Sequence, residues 1–369
     1  MGRLRNGVGV GISNIPTLSS RRPFSPLSLF ADGSQGVWYD DSNTDSMFQD
    51  SAGTIPAALE SPVGKQLDLS GNNNHRTQTT DAKRPTLSAR YNLLTDTAVL
   101  ATQSITTVAT SYTIYFTGSG SVTLAGTYIG SFTAGTNTFT ATAGTLVVTV
   151  TGSVLTADIR PTNQTVTLPA YQAVTSSTVY DTVGFPQYLK YNGSSSSLAT
   201  ASINFTATAQ MSVFSGLRKL TDTGFGVISE LSSNVDFAAG AFLLGVQTSS
   251  RYYVQTGVTA ARVFGNVTAP STPVPVTNVI STVYDSSLSG TAQIAVRLNG
   301  NTATASLTVT GTGAVGNFGT YPLYFGARAG TSLYLNGQEY QTIIVGKTLT
   351  AAQIANTETY VNSKAKAYA

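Results

Sequence analysis

The sequence predicts an all-β protein: a β-sandwich with a small inserted β module, an extended N-terminal arm and one short C-terminal helix. Three observations predict it. Charged residues are only 10% of the 369, against roughly 25% in an ordinary soluble domain, and Thr, Ser, Gly, Ala and Asn fill the gap. Lys and Glu, the usual helix-surface residues, are scarce, whereas Thr, Val and Tyr favour strands. Hydrophobic residues still reach 41%, with 18 Tyr and 15 Phe, enough large groups to pack a core rather than leave a disordered chain.

The elements follow in chain order. Residues 1–30 are rich in Gly, Ser, Pro and Arg, with Pro16, Pro23 and Pro26 opposing regular structure. Arg3, Arg5, Arg21 and Arg22 all precede the first acidic residue, Asp32, so this stretch reads as a basic arm able to dock on an acidic protein surface, or as a solvated tail. Residues 31–93 open the sandwich, beginning at Gly36-Val37-Trp38-Tyr39. From 94 to 160 the chain is nearly uncharged and Thr/Gly-rich. Tyr112–Phe116, Ser121–Leu124 and Thr145–Val150 alternate there as separate strands divided by Gly-containing turns, the pattern of an inserted β module.

Residues 161–369 carry the rest of the sandwich. Its strands include 187–191, 211–217, 226–229, 241–246, 292–298 and 340–345, and Asn299-Gly300 and Asn336-Gly337 are hairpin signals. Thr350-Ala351-Ala352-Gln353 is a capping box, opening a helix to about Lys366.

The residue inventory rules out most catalytic chemistry. Without cysteine there is no disulfide, thiolate nucleophile or zinc–thiolate site. The one histidine, His75, lies in a polar Asn-rich loop, which suits a hydrogen-bonded loop residue better than a catalytic base. Glycoside hydrolysis needs paired carboxyl groups, yet none of the four glutamates (Glu60, Glu230, Glu339, Glu358) has an acid two residues away. No catalytic residue and no cofactor is expected. Asp40, Asp41 and Asp45 could contribute to a Ca²⁺ site, although Asp-Ser-Asn text is also ordinary turn chemistry; no metal site is assigned. Tyr252, Tyr321 and Arg328 supply the aromatic and polar types that bind sugars, while alternating Tyr is also normal strand packing. The net charge of +3 is too small to point to nucleic acid. No apolar run approaches the roughly 20 residues of a membrane span.

Two resemblances add to this reading. Leu189-Lys190-Tyr191-Asn192-Gly193, then Leu298-Asn299-Gly300, then Tyr321–Arg328, Leu335-Asn336-Gly337, Ile343-Ile344-Val345 and the 350–366 helix resemble, in order, the concanavalin-A-like, laminin-G-type lectin sandwich. This covers about half of the chain and implies a jelly-roll fold with possible sugar or calcium binding. At the front, Phe24–Phe30, Gly36–Asp40, Phe48–Thr54 and Pro62–Gly64 to Ser70–Asn72 are similar to the leader of tailed-phage and prophage proteins that carry such a domain. That resemblance implies a virion structural protein: a tail fibre or tail appendage anchored by its arm to other virion proteins, homo-oligomeric, and able to contact host glycans. The alternatives are a head (capsid) decoration protein and a lectin-like adhesin.

Overall fold

A computed structural model of the chain describes residues 23–58, 61–89, 102–162, 187–258, 261–274, 276–311, 316–365 and 367–368. Arg3, Arg5, Arg21 and Arg22 lie outside these residues. The architecture is all-β: two antiparallel sheets form a jelly-roll sandwich, a third sheet stands apart from them in pairing, and the one α-helix described is Ala351–Ala365.

The first sheet has eight strands and is centred on Asn336–Val345. Gln210–Lys219 pairs along one side of that strand. On the other side Gln187–Asn192 and Gly36–Asp40 lie end to end, so the strand near the C-terminus holds the one near the N-terminus. The second sheet has ten strands. Between the sheets lies the main core, which includes Tyr39, Leu189, Val213, Leu244, Phe325 and Ile344.

The back of the first sheet is covered by the helix. The expected capping box is formed both ways: Thr350 Oγ1 accepts from the Gln353 amide at 3.2 Å, and Gln353 Oε1 accepts from the Thr350 amide at 3.0 Å. Gly216 lets the helix approach, since a Cβ there would stand 2.9 Å from Val361 Cγ1. The same surface corrects the reading of residues 23–30 as free arm. Pro26–Phe30 is a 3₁₀ helix capped by Ser25, and Leu29 and Phe30 are buried beside Phe214, Tyr340 and Val361. Proline at its first position suits a helix start, where its missing N–H has no partner to lose.

The third sheet spans Gln103–Thr107 to Val154–Pro161. Tyr112–Phe116 and Ser121–Leu124 are not separate strands, as the sequence suggested, but two halves of one, Thr110–Gly126. A register shift at 116–121 bends it, so its first half pairs with Val154–Pro161 and its second with Gly144–Thr151. A strand that changes layers at an irregularity is how one sheet folds over its own core; here that core includes Ile114, Phe116, Leu124 and Val148. Ala89 and Gln187 are cross-strand partners in the first sheet, so the chain leaves and re-enters the sandwich at adjacent points.

The two Asn-Gly signals have different outcomes. Asn299 and Gly300 have φ of 51° and 77° and form the tight turn between Ile294–Leu298 and Asn301–Thr302. Asn336 and Gly337 instead open a strand, in which Gly337 is paired on both sides. Glycine serves there because a Cβ would come within 3.0 Å of the Arg218 carbonyl oxygen.

Candidate functional site

Of the residues singled out for sugar binding, Tyr252 is corrected outright. It points into the main core with no exposed surface, and its hydroxyl accepts a hydrogen bond from Asn278 Nδ2 at 3.1 Å. Alternation puts its neighbour Tyr253, not Tyr252, on the outer face. Tyr321 packs at the rim of the core and donates its hydroxyl to the Ala239 carbonyl at 3.1 Å. Arg328 donates Nε to both Glu230 carboxylate oxygens at 3.1 Å and Nη1 to Asp236 at 3.3 Å. Tyr321 and Arg328 thus meet at the same 232–240 loop, but as its fasteners. Arg262 also pairs with Asp236. Burial raises the Glu230 carboxyl above its usual range, with the Arg328 hydrogen bond opposing.

Two of the three acids near residue 40 are likewise committed to structure, while Asp45 is exposed. Asp41 is fully buried and accepts from Gln66 and Arg76, while Asp40 pairs with Lys364 and accepts from Ser42. Among the described residues no group of three His, Cys, Asp or Glu side chains is placed to hold a metal ion. His75 Nδ1 accepts the Asp68 amide at 3.0 Å, and burial depresses the imidazole pKa, in keeping with a neutral acceptor.

Arg76 is the centre of an inter-sheet clamp. From the second sheet its guanidinium donates to both oxygens of Glu339 in the first, at 2.9 and 3.0 Å, and to Asp41 at 3.3 Å. Its Cζ also lies 4.4 Å from the centroid of the Tyr39 ring and 4.9 Å from that of Phe325. Two carboxylates face one cation. Burial, then repulsion from Glu339, pushes the Asp41 carboxyl up to about 8 despite Arg76.

An open site lies on the outer face of the ten-stranded sheet. Pairing there aligns one cross-strand row, Phe48–Lys65–Thr77–Ala199–Tyr324–Glu230–Leu243–Gln255–Phe264–Thr308. The 232–240 loop is fastened over the middle of the row, by Glu230 accepting from the Val235 amide and Gln255 donating to Asp236. At Thr77, Ala199 and Tyr324 the face forms a groove of about 480 Å³.

One wall is the 78–83 segment, stitched to the sheet by Gln78 Nε2 on Ser197 and by the Ser197 amide on the Lys83 carbonyl. The other is the 329–331 loop, closed by the Arg328–Ser332 bridge, with Ala329 at φ 50°. That left-handed conformation disfavours a non-glycine residue by roughly 1–2 kcal/mol, so the surrounding contacts must hold it. The lining is hydroxyl and amide, with one aromatic ring, Tyr324, one cation, Lys83, and no carboxylate.

Sequence reasoning passed over Tyr324, although the signal was present. In Thr320–Phe325, Leu323 and Phe325 are buried, so alternation turns Tyr324 outward. No sequence signal marks Thr77, Lys83, Ser197 and Thr331 as one site, because pairing of distant strands assembles them.

No protein-family model matches the sequence, and none of the curated proteins matches it. Solved structures match at low similarity. The K499G mutant of NanB sialidase from Streptococcus pneumoniae has 15% identity and a TM-score of 0.32, over 46% of this chain and 27% of that one. The binding domain of botulinum neurotoxin serotype G has 12% identity and a TM-score of 0.36, over 47% and 42%. The SAP-like pentraxin of Limulus polyphemus has 13% identity and a TM-score of 0.33, over 45% and 78%. The match thus spans less than half of the sialidase and neurotoxin chains.

Proposed function

We propose that this chain is a non-enzymatic surface protein of a tailed-phage particle, a tail fibre or appendage, whose sandwich contacts host-surface glycans through the groove at Tyr324. The observation that carries the binding half is the groove itself. A sugar needs a flat apolar face and many hydrogen-bonding groups at fixed positions, and Tyr324 with the surrounding Thr, Ser and Gln side chains supplies both. No lining carboxylate is available as a general acid, which supports binding over hydrolysis. The virion half rests on the resemblance of residues 24–72 to phage leaders, with the basic stretch holding Arg3, Arg5, Arg21 and Arg22 as anchor. No described helix is long and apolar enough to cross a membrane.

Two experiments test the halves separately. Binding of the full chain to purified host-surface polysaccharide should weaken at least tenfold in Tyr324→Ala; unchanged binding removes the groove. Cryo-electron microscopy of particles with and without residues 1–30 of this chain should show the β density lost from one defined place. Density that remains defeats the anchor, and a chain never found on particles leaves a free lectin-like adhesin.

A further inference from the structure

Charge around the groove is uneven. Lys83 is the cation in its wall, and among the described residues its ammonium has one hydrogen bond, to the Gly330 carbonyl at 3.4 Å. A lysine carries three donors, so two remain for a ligand in the groove that Lys83 lines. Lys65 stands beside Thr77 in the cross-strand row, but its ammonium donates to the Ala52 carbonyl at 3.3 Å and it does not line the groove, which leaves Lys83 as the groove's cation. The acids of this face are occupied elsewhere: Glu230 and Asp236 by Arg328 and Arg262, and exposed Asp81 by Arg84.

The backbone that carries the cation is also held in place. The Lys83 carbonyl accepts from the Ser197 amide at 2.9 Å, Ser195 Oγ donates to the Ala82 carbonyl at 3.2 Å, and strained Ala329 sits next to Gly330. A half-buried lysine on an anchored backbone, lining the same groove as an outward aromatic ring, is a pairing site for an anion carried on a ring.

We infer that the groove takes a carboxylate-bearing glycan, Lys83 pairing with the sugar carboxylate while Tyr324 lies against the ring. This rests on the glycan reading above and narrows it to acidic polysaccharides. Binding then weakens as ionic strength rises, because a partly exposed pair is screened.

The test uses the full chain on a panel of purified acidic capsular polysaccharides, each paired with its carboxyl-reduced product, and compares wild type with Lys83→Gln, Lys83→Arg and Tyr324→Ala. Trp38 fluorescence confirms that each variant is folded. Polysaccharides that bind are expected to lose tenfold or more on carboxyl reduction and a similar factor with Lys83→Gln, with partial recovery in Lys83→Arg. Equal binding to acidic and reduced forms, undiminished by Lys83→Gln but weakened by Tyr324→Ala, overturns the acidic assignment and leaves the glycan groove standing. Binding to no member of the panel overturns both. Loss with Lys83→Gln but none with Tyr324→Ala marks a surface charge effect and overturns the groove assignment.

Discussion

Replacing Arg76 by methionine keeps an apolar stem of similar reach and removes the guanidinium that joins the two sheets. Glu339 would then retain the Tyr191 hydroxyl at 3.0 Å and the Thr342 hydroxyl at 2.6 Å, and Asp41 only the Gln66 amide at 2.9 Å. Two buried carboxyls would face each other with no cation. Breaking a buried pair in this way costs about 3–5 kcal/mol, a large share of the roughly 5–15 kcal/mol that holds a domain folded. The loss should be greatest at pH 8 and smaller near pH 5, where protonation relieves the repulsion.

The triple variant Arg76→Met, Asp41→Asn, Glu339→Gln removes all three charges and should recover most of the loss, since neutral replacement of a buried ion network is often harmless. Urea unfolding followed by Trp38 fluorescence is the assay. As the chain's sole tryptophan, on a strand of the first sheet, it reports the sandwich and not the third sheet. If the single and triple variants are equally destabilised at every pH, lost packing against Tyr39 and Phe325 explains the effect and the charge argument fails.

Asp41 also gives the sandwich its own pH dependence. Its folded pKa, about 8, lies above the ordinary value of 3.8, so between these pH values the folded state holds a proton that the unfolded state has released. This contribution is fully present below about pH 4 and is lost as pH rises to about 8, with a ceiling of ~6 kcal/mol at 1.36 kcal/mol per unit. Asp41→Asn should flatten this slope and be the more stable protein at pH 8.5; parallel urea midpoints from pH 5 to 8.5 would sink the idea. Replacing residues 90–186 with Asn-Gly should leave a folded sandwich, because Ala89 and Gln187 are already cross-strand partners. Shortening a connection of ~100 residues to a two-residue turn favours closure by up to about 3 kcal/mol. A Trp38 urea transition shifted to lower denaturant, or absent, refutes an insertion that the sandwich does not need.

Features governed by neighbours in sequence were readable from the chain. Thr350 and Gln353 cap the helix as their spacing requires, and Asn299-Gly300 turns because both residues tolerate positive φ. Period-two alternation located Gln210–Lys219 and Phe242–Gln247. The 340–345 half of Asn336–Val345 was legible too, but all three strands are buried on both faces, so their text does not say which side meets which layer.

Local patterns established an all-β chain, its strand text, its one described helix and a tight turn, because these depend on backbone preferences over a few residues. Strand register decided the rest. It sent Tyr252 inward and Tyr324 outward, brought Arg76 to Glu339, and joined Thr77, Lys83, Ala199, Tyr324 and Gly330 around one groove. A shift of one residue in pairing would exchange the faces of every side chain on a strand, and the burial that sets the pairing arises only when distant segments pack together.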